Sequence, residues 1–211
     1  MKPLTYLLPV IAYLYGSVPF GFLMAKLVRG VDIRETGSGN IGATNAARVL
    51  GFRYFPLVFL LDFSKGFLPT LAAVHLAGNS AFSPSPLAAG TALAAVLGHV
   101  FPLYLQFKGG KAVATGTGVC VVLAHWAVLA AVGTWAAVFL ITRYVSLASI
   151  CAAAILAAGA WTLHAEPMEE GVWRTAFCTV AGLMVIVLHH GNIRRLLKGT
   201  EHKIGGGEES R

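Results

Sequence analysis

Charged residues are scarce in this sequence. Only 12% of its 211 residues are Asp, Glu, Lys or Arg, and 56% are hydrophobic. Soluble domains have about 25% charged and 45–50% apolar residues, so this composition excludes an ordinary soluble domain. Apolar runs of near-spanning length recur along the chain and predict an all-α polytopic membrane protein. The first run, from Leu4 to about Met24, is too long for a cleaved signal peptide and predicts a retained helix.

Motifs for metals and disulfides are also lacking. The three cysteines, Cys120, Cys151 and Cys178, lie far apart within apolar runs, which excludes a disulfide framework and a CxxC metal site. The seven histidines form no HExxH pattern and no Cys/His set. We therefore expect neither a metal ion nor a cofactor.

Several familiar catalytic motifs are absent as well. The stretch "FKGGKAVAT" lacks the first glycine and the Ser/Thr of a Walker A loop, because Ala112 follows Lys111. Thr36 stands where a GxSxG elbow around Ser38 would need glycine. The HxxxxD box of soluble-type glycerolipid acyltransferases is missing, and its nearest approximation begins at His164.

Hydropathy predicts seven spans, of which the fourth and fifth are short. An alternative joins those two into one long tilted helix and gives six spans. The predicted spans are Leu4–Val28, Phe55–Leu76, Ser85–Leu105, Ala112–Ala124, Trp126–Ile141, Val145–Leu163 and Val172–His189.

The positions of the basic residues favour seven spans. Basic clusters follow the first, third and last predicted spans, and cytoplasmic loops are enriched in Lys and Arg. If all three clusters are cytoplasmic, an even number of spans must separate Lys111 from Arg194. Seven spans with the N-terminus outside and the C-terminus cytoplasmic satisfy this condition. The acidic loop "HAEPMEEG" and the uncharged "AGNSAFSPSP" then lie outside.

We predict a single integral membrane domain over residues 1–203 and a disordered tail over 204–211.

Three polar segments share the predicted cytoplasmic face. They are "RETGSGNIGATNAARVLG" (Arg34–Gly51), "FKGGKAVATGTG" (Phe107–Gly118) and "HHGNIRRLLKGTE" (His189–Glu201). Basic residues alone would be explained by membrane orientation, but the glycines, asparagines and histidines would not. Glycine turns that lead into a helix bind phosphate through backbone N–H groups, and Arg offers a planar fork for it. The segments therefore predict an anion-binding site.

Polar residues also occur inside the predicted spans. Asp62 and Lys65 are three residues apart on one helix face, which predicts an intrahelical ion pair facing the bundle. His99 is either a buried hydrogen-bonding group or a residue of the site. We regard Asp62, Lys65 and His99 as candidates that position the site residues without contacting the substrate themselves.

The chain resembles the bacterial acyl-phosphate:glycerol-3-phosphate acyltransferase family (PlsY type), small integral membrane enzymes of phospholipid synthesis. The resemblance extends to about Lys203 and rests on seven motifs in register. They are "GSVPFG" (Gly16–Gly21), "GSGNIGATN" (Gly37–Asn45), "DFSKG" (Asp62–Gly66), "GHVFP" (Gly98–Pro102), "KGGKAVAT" (Lys108–Thr115), "TRYVSLASI" (Thr142–Ile150) and "HHGNIRRLLKGTE".

The resemblance implies transfer of an acyl chain from acyl phosphate to the sn-1 hydroxyl of glycerol 3-phosphate. It implies a seven-span fold with an external N-terminus, and a site on the cytoplasmic face of a bacterial inner membrane. The catalytic residues it implies are Ser38, Arg48, Lys111, His189 and Asn192. The remaining phosphate- and substrate-binding candidates are Gly39, Asn40, Thr44, Asn45, Lys108, Gly109, Gly110, Thr115 and Arg195.

One position departs from the family pattern. The family reads KGGKGVAT, and Ala112 replaces the last glycine here. If this position needs a positive φ, the methyl group costs about 1–2 kcal/mol.

The expected partners are the two substrates and membrane lipid. Nothing in the sequence indicates nucleic-acid binding, since the basic residues flank membrane spans. We expect the protein to be a monomer. The alternative function is transport of an organic phosphate, which would also need cations within a bundle. Transporters commonly have internal repeats and broken helices at the midplane, whereas the polar motifs here collect on one face.

Overall fold

The computed structural model describes residues 7–76, 85–163 and 168–204, and every regular element in this part of the chain is a helix. The α-helices are α1 Leu8–Gly16, α2 Phe20–Arg29, α3 Ala43–Leu50, α4 Phe55–Leu76, α5 Pro86–Val100, α6 Val113–Leu123, α7 His125–Thr142, α8 Val145–Thr162, α9 Met168–Leu188 and α10 His190–Leu197. Short 3-10 turns occupy Ile33–Glu35, Phe52–Tyr54 and Leu103–Leu105. The prediction of an all-α fold is confirmed.

Six described segments are long and apolar enough to cross a membrane. The first combines α1 and α2 over Leu8–Arg29, and the others contain α4, α5, α7, α8 and α9. The fourth predicted span corresponds to α6, which has 11 residues. At 1.5 Å per residue α6 is roughly 16 Å long, about half the hydrocarbon thickness of a bilayer.

The first predicted span is present at Leu8–Arg29, but its helix is interrupted. The chain leaves the helix between Gly16 and Phe20, where Pro19 has φ −90° and ψ 75°. Proline has no N–H group to continue the helix and disfavours helical geometry in the residue before it. The side chain of Ser17 donates to the carbonyl oxygen of Tyr13 at 2.8 Å, so the break is capped inside the bundle.

The alternative in which α6 and α7 form one long helix is also wrong. Ala124, between them, has φ −148° and ψ 54°, which ends the first helix and starts the second in a new direction. Its N–H group donates to the carbonyl oxygen of Cys120 at 2.8 Å. Two separate helices therefore follow the second polar segment.

Glycines allow α4 and α6 to touch backbone to backbone. A Cβ atom at Gly66 of α4 would collide with the carbonyl oxygen of Thr115, and one at Gly118 of α6 would collide with that of Phe63. Small residues at such contacts are the usual means of close helix packing in membranes. The contact holds the start of α6 against the middle of α4, beside Asp62.

The segment after α10 meets the α7–α8 turn at one end of the bundle. The N–H group of Ile204 donates to the carbonyl oxygen of Arg143 at 3.1 Å, so the segment after α10 lies against that turn. Lys203 also stacks over the ring of Tyr144, with Nζ 5.2 Å from the ring centroid. The number of crossings between Lys111 and Arg194 stays a prediction.

Three other predictions fall largely outside the described residues. The outer loops lie mostly at 77–84 and 164–167, and the tail lies at 205–211. Their placement and the order of the tail stay predictions.

Candidate active site

A polar cavity of about 130 Å³ lies at the end of the bundle where the three polar segments meet. It brings together all five residues predicted to be catalytic and several of the other candidates. The predicted residues that line it are Ser38, Asn40, Thr44, Arg48, Asp62, His99, Lys111, His189 and Asn192. The candidates Gly39, Asn45, Lys65, Lys108, Gly109, Gly110, Thr115 and Arg195 do not line it.

Asn45 shapes the first polar loop from within. Its Nδ2 atom lies 3.0, 3.0 and 2.9 Å from the carbonyl oxygens of Ile33, Thr36 and Asn40. Its Oδ1 atom accepts from the N–H group of Ser38 at 2.8 Å. With 1% of its surface exposed, Asn45 has no access to a ligand and instead fixes the position of Ser38.

The glycines of that loop serve its conformation. Gly37 and Gly39 have φ values of 62° and 71°, in the left-handed region that glycine adopts without strain. A Cβ atom at Gly37 would also collide with Oδ1 of Asn45. The role of Gly39 in this structure is therefore the turn that presents Ser38 and Asn40.

The two lysines of the second loop have different surroundings. Lys108 is exposed and lies outside the cavity, whereas Lys111 is half-buried and reaches into it. Gly109 and Gly110 between them pack on the end of α5, and the N–H group of Gly110 donates to the carbonyl oxygen of His99 at 3.0 Å. The loop is thus tied to α5, and only its second lysine points to the site.

Ala112 adopts a left-handed conformation. It has φ 55° and ψ 22°, immediately precedes α6, and is 1% exposed. This is the position where the family pattern has glycine. The substitution therefore carries the backbone strain of about 1–2 kcal/mol that a positive φ imposes on an L-residue.

Glu201 organises the third segment. Its Oε1 atom accepts from Ser146 Oγ at 2.8 Å and from Asn192 Nδ2 at 2.6 Å. Its Oε2 atom accepts from Arg195 Nε at 2.7 Å. Lys111 Nζ in turn donates to Asn192 Oδ1, so one chain of contacts links the second polar loop to the carboxylate.

Sequence reasoning missed Glu201 and Ser146. Glu201 is the single carboxylate of "HHGNIRRLLKGTE", and its position at the end of that motif was the available signal. Ser146 lies within "TRYVSLASI". Of the polar residues in this motif, Ser146 and Ser149 line the cavity. Arg195, predicted to bind phosphate, is engaged by Glu201 instead.

Burial and neighbouring charges shift the pKa values in this site. The pKa of Lys111 is lowered to about 8, mainly by burial; the charge of Glu201 opposes this shift, and the cations Arg195 and Arg48 contribute to it. Burial alone would raise the pKa of Glu201, but the groups that donate to it outweigh this effect and lower the pKa below 4.5. The cavity thus has excess positive potential that favours a bound anion.

His189 is neutral near pH 7. Burial, together with the charge of Lys111, lowers its pKa to about 4. Its Nδ1 atom lies 2.7 Å from the carbonyl oxygen of Val185. Because a carbonyl can only accept, Nδ1 carries the proton and Nε2 is left as an acceptor.

The ion pair predicted between Asp62 and Lys65 is present. Lys65 Nζ lies 2.6 Å from Asp62 Oδ1, and both side chains are at most 2% exposed. Thr115, predicted to bind substrate, is fully buried and donates to the carbonyl oxygen of Asp62 at 2.9 Å. It holds α6 to α4 and does not reach the cavity.

A second, apolar cavity of about 290 Å³ adjoins the polar one. It extends between α6, α7, α8 and α9, along residues such as Val128, Ala152, Leu156 and Val185. The residues that line both cavities are Phe55, Phe59, Ala112, Val113, Trp135 and Ser149. Trp135 Nε1 donates to Ser149 Oγ at 3.2 Å at this junction.

The cationic side chains that line the cavity are Arg48 and Lys111. Within residues 7–76, 85–163 and 168–204, no three His, Cys, Asp or Glu side chains are grouped as metal ligands. The fold and the site define a polytopic helical membrane protein with a cationic cavity open to an apolar one.

Comparison with known proteins gives the family. The family model for glycerol-3-phosphate acyltransferase matches residues 6–199. A glycerol-3-phosphate acyltransferase of Anaeromyxobacter dehalogenans is 43% identical over 198 residues, covering 94% of this chain and 96% of the relative. One from Aquifex aeolicus is 44% identical over 196 residues, covering 93% and 97%. The chain therefore belongs to the glycerol-3-phosphate acyltransferase family.

Solved structures agree with this assignment. The crystal structure of PlsY (YgiH), an integral membrane glycerol 3-phosphate acyltransferase, in its glycerol 3-phosphate form matches with a TM-score of 0.87. The sequences are 43% identical, and the match covers 95% of this chain and 96% of that one. The lysophosphatidic acid form of PlsY matches with a TM-score of 0.84. The resemblance expected from the sequence motifs is confirmed.

Proposed function

We propose that this protein transfers a fatty acyl group from acyl phosphate to the sn-1 hydroxyl of glycerol 3-phosphate. The products are 1-acyl-glycerol 3-phosphate (lysophosphatidic acid) and inorganic phosphate. The observation that carries this proposal is the junction of the two cavities, which share Phe55, Phe59, Ala112, Val113, Trp135 and Ser149. A molecule with a phosphate head and an acyl tail would fill both cavities and hold its carbonyl group at their boundary.

The polar cavity supplies the charges for two phosphate groups. Lys111 and Arg48 both line it, and the guanidinium group of Arg48 suits bidentate binding of a phosphate. Asn40, Thr44 and Ser38 add neutral hydrogen-bonding groups to the cavity lining. Holding both substrates in one cavity replaces a bimolecular encounter by a reaction between neighbours.

In the reaction, the substrate hydroxyl oxygen attacks the carbonyl carbon of the acyl phosphate. A new C–O ester bond forms, the C–O bond to phosphate breaks, and phosphate leaves with both electrons. Lys111 stabilises the negative charge that develops on the leaving phosphate and on the carbonyl oxygen. Acyl phosphate is a mixed anhydride with a good leaving group, so Ser38 positions the reactants and need not become acylated.

His189 orients the attacking hydroxyl through its free Nε2 atom. With a pKa of about 4, it is a weak base at neutral pH. The hydroxyl proton therefore goes to the leaving phosphate, whose bridging oxygen becomes strongly basic as the C–O bond breaks. Asn192, fixed between Lys111 and Glu201, orients the substrate beside His189.

We further propose a topology of seven crossings with the N-terminus outside and the C-terminus in the cytoplasm. The short α6 is the seventh crossing. It leads away from the cavity, and α7 leads back to it. The active site then opens on the cytoplasmic side of a bacterial inner membrane. We also propose a single domain over residues 1–203 that acts as a monomer without a cofactor.

A bulky residue in the apolar cavity tests the placement of the acyl chain. Ala152 lines this cavity, and Ala154, two residues further along α8, is exposed on the outer surface of the helix. We expect Ala152→Phe to raise KM for acyl phosphate about tenfold or more and to leave KM for glycerol 3-phosphate unchanged. Ala154→Phe is the matched control and should behave as wild type. Equal kinetics for the two variants would contradict the placement.

Transport of an organic phosphate is the alternative function. A transporter would carry labelled glycerol 3-phosphate into sealed proteoliposomes without any acyl donor. The proposed enzyme would give no such uptake and would form lipid in detergent, where no compartments exist. Uptake without donor, combined with no lipid product, would favour the transporter.

A further inference from the structure

His99 belongs to a buried polar cluster that the proposed reaction does not use. Its Nδ1 atom lies 3.4 Å from Lys65 Nζ and 3.8 Å from Asp62 Oδ1, and its side chain is 4% exposed. Lys65 is already neutralised by Asp62, at 2.6 Å. The ion pair therefore needs no histidine to balance its charge. Polar side chains inside a membrane-spanning segment are costly to bury, and they commonly mark functional sites.

The neighbouring ammonium group determines the tautomer of His99. An ammonium group can only donate, so the ring nitrogen that faces Lys65 accepts the hydrogen bond. The ring proton of neutral His99 is then on Nε2. Asp62 lies too far from Nδ1, at 3.8 Å, to hold a proton there by a hydrogen bond.

The Nε2 side of the ring faces the second polar loop. A Cβ atom at Gly110 would collide with Nε2, so the ring lies directly against the backbone of this residue. His99 also lines the polar cavity, as does Lys111, the residue after Gly110. Among the described residues, none forms a hydrogen bond with Nε2, whereas Nδ1 faces Lys65.

We propose that His99 is a further phosphate-binding residue, which donates from Nε2–H to the phosphate group held beside Lys111. The Asp62–Lys65 pair is the positioning element that keeps the proton on Nε2. The absence of a side chain at Gly110 allows the ring to approach the loop. This inference rests on the proposed function, since it assigns a donor to the phosphate that leaves during acyl transfer.

The probe for this proposal is inorganic phosphate, a product of the proposed reaction. Its dissociation constant would be measured from the rise in Tm of the purified protein in detergent. We expect His99→Leu to weaken phosphate binding by roughly tenfold to a hundredfold, as expected for loss of a hydrogen bond to a charged group. His99→Gln keeps an N–H donor at similar reach and should retain binding within about threefold of wild type. His190→Leu is the control, because His190 is exposed and lies outside the cavity.

Two results would overturn the proposal. One is phosphate binding by His99→Leu equal to that of wild type. The other is equal loss of binding in His99→Leu and His99→Gln with both proteins folded, which would make the ring a packing element only.

A measurement on the unaltered protein covers the case in which His99→Leu does not fold. In wild type labelled with ¹⁵N-histidine, we expect the NMR signals of His99 to show the Nε2–H tautomer and to shift on addition of phosphate. An Nδ1–H tautomer, or signals that phosphate does not move, would contradict the proposal. The signals are assigned by their absence from the His99→Gln spectrum.

The same data separate this inference from the proposed reaction. If phosphate binds through His99 but acyl phosphate yields no lipid, the reaction fails and the inference stands. If lipid forms but phosphate binding is independent of His99, the inference alone fails.

Discussion

Lys111 and Asn192 are 81 residues apart in sequence and are joined by a hydrogen bond from Nζ to Oδ1. The contact connects the loop before α6 to the short helix α10. Asn192 also donates to Glu201, so the lysine, the amide and the carboxylate form one connected set. This set fixes where the cationic group stands relative to His189, which precedes α10 and shares the cavity.

The two lysines of "KGGK" should differ in their effect on turnover. Lys111→Met removes the cation from the cavity and should lower kcat/KM by about 10²–10³, as loss of one preorganised electrostatic group does. Lys108→Met removes the same charge from the same loop outside the cavity and should leave more than half of the activity. Steady-state kinetics on both variants test this contrast. Equal losses would show that the loop acts through its overall charge.

The activity should decline in alkaline solution because of Lys111. Its pKa of about 8 in the free protein means that the cation is lost progressively above that pH. We therefore expect the profile of kcat/KM against pH to fall above about pH 8. An Arg side chain stays protonated over this range, so the residual activity of Lys111→Arg should lack the alkaline decline. An unchanged decline in that variant would assign it to another group.

Glu201 should matter for stability as well as for turnover. Glu201→Ala leaves Ser146, Asn192 and Arg195 without their shared acceptor and should cost about 2–4 kcal/mol of unfolding free energy. Glu201→Gln keeps an acceptor oxygen and should cost less. The midpoint of thermal unfolding in detergent measures both variants. Unchanged midpoints in both would contradict the role assigned to this carboxylate.

The same carboxylate predicts a loss of stability in acid. Its pKa is lower in the folded protein than the ordinary value of 4.5, so the unfolded chain binds its proton more readily. The stabilisation is complete above about pH 4.5 and is lost as the pH falls through the folded pKa. Glu201→Gln should lack this component, which is measured as the difference in Tm between the variants across acidic pH. A constant difference would contradict the shift.

Ala112 should tolerate glycine and reject a β-branched residue. Ala112→Gly relieves backbone strain of about 1–2 kcal/mol. It also raises the conformational entropy of the unfolded chain, which costs about 0.4–1 kcal/mol of stability, and it removes a buried methyl group. We expect the net change in stability to be within about 1 kcal/mol. Ala112→Val should lower Tm clearly, because a branched Cβ is strained at a φ of 55°. A Val variant as stable as wild type would contradict the left-handed conformation.

Hydropathy predicted the long helices well, because burial in lipid depends on local composition. The predicted span Phe55–Leu76 coincides with α4. The break in the first span was missed although Pro19 was visible, because a 25-residue apolar run favours one helix unless its interior contacts are known. The Ser17–Tyr13 hydrogen bond that caps the break is such a contact.

The sequence predicted which polar segments meet at the candidate site but not the contacts that support it. Ser38, Lys111 and His189 could be assigned because the motifs that contain them resemble the family. The buried state of Asn45 and Thr115 could not be predicted from the sequence. Both side chains form hydrogen bonds with backbone carbonyl groups that only the fold brings near. Sequence shows which polar groups are available, and folding decides which of them are left for a ligand.

The most direct test of the proposed function is a comparison of acyl donors with the purified protein in detergent. Radiolabelled glycerol 3-phosphate would be incubated with palmitoyl phosphate, palmitoyl-CoA or no donor, with a chelator present throughout. We expect labelled lysophosphatidic acid from palmitoyl phosphate alone. Product from palmitoyl-CoA alone, or no product from either donor with folded protein, would contradict it.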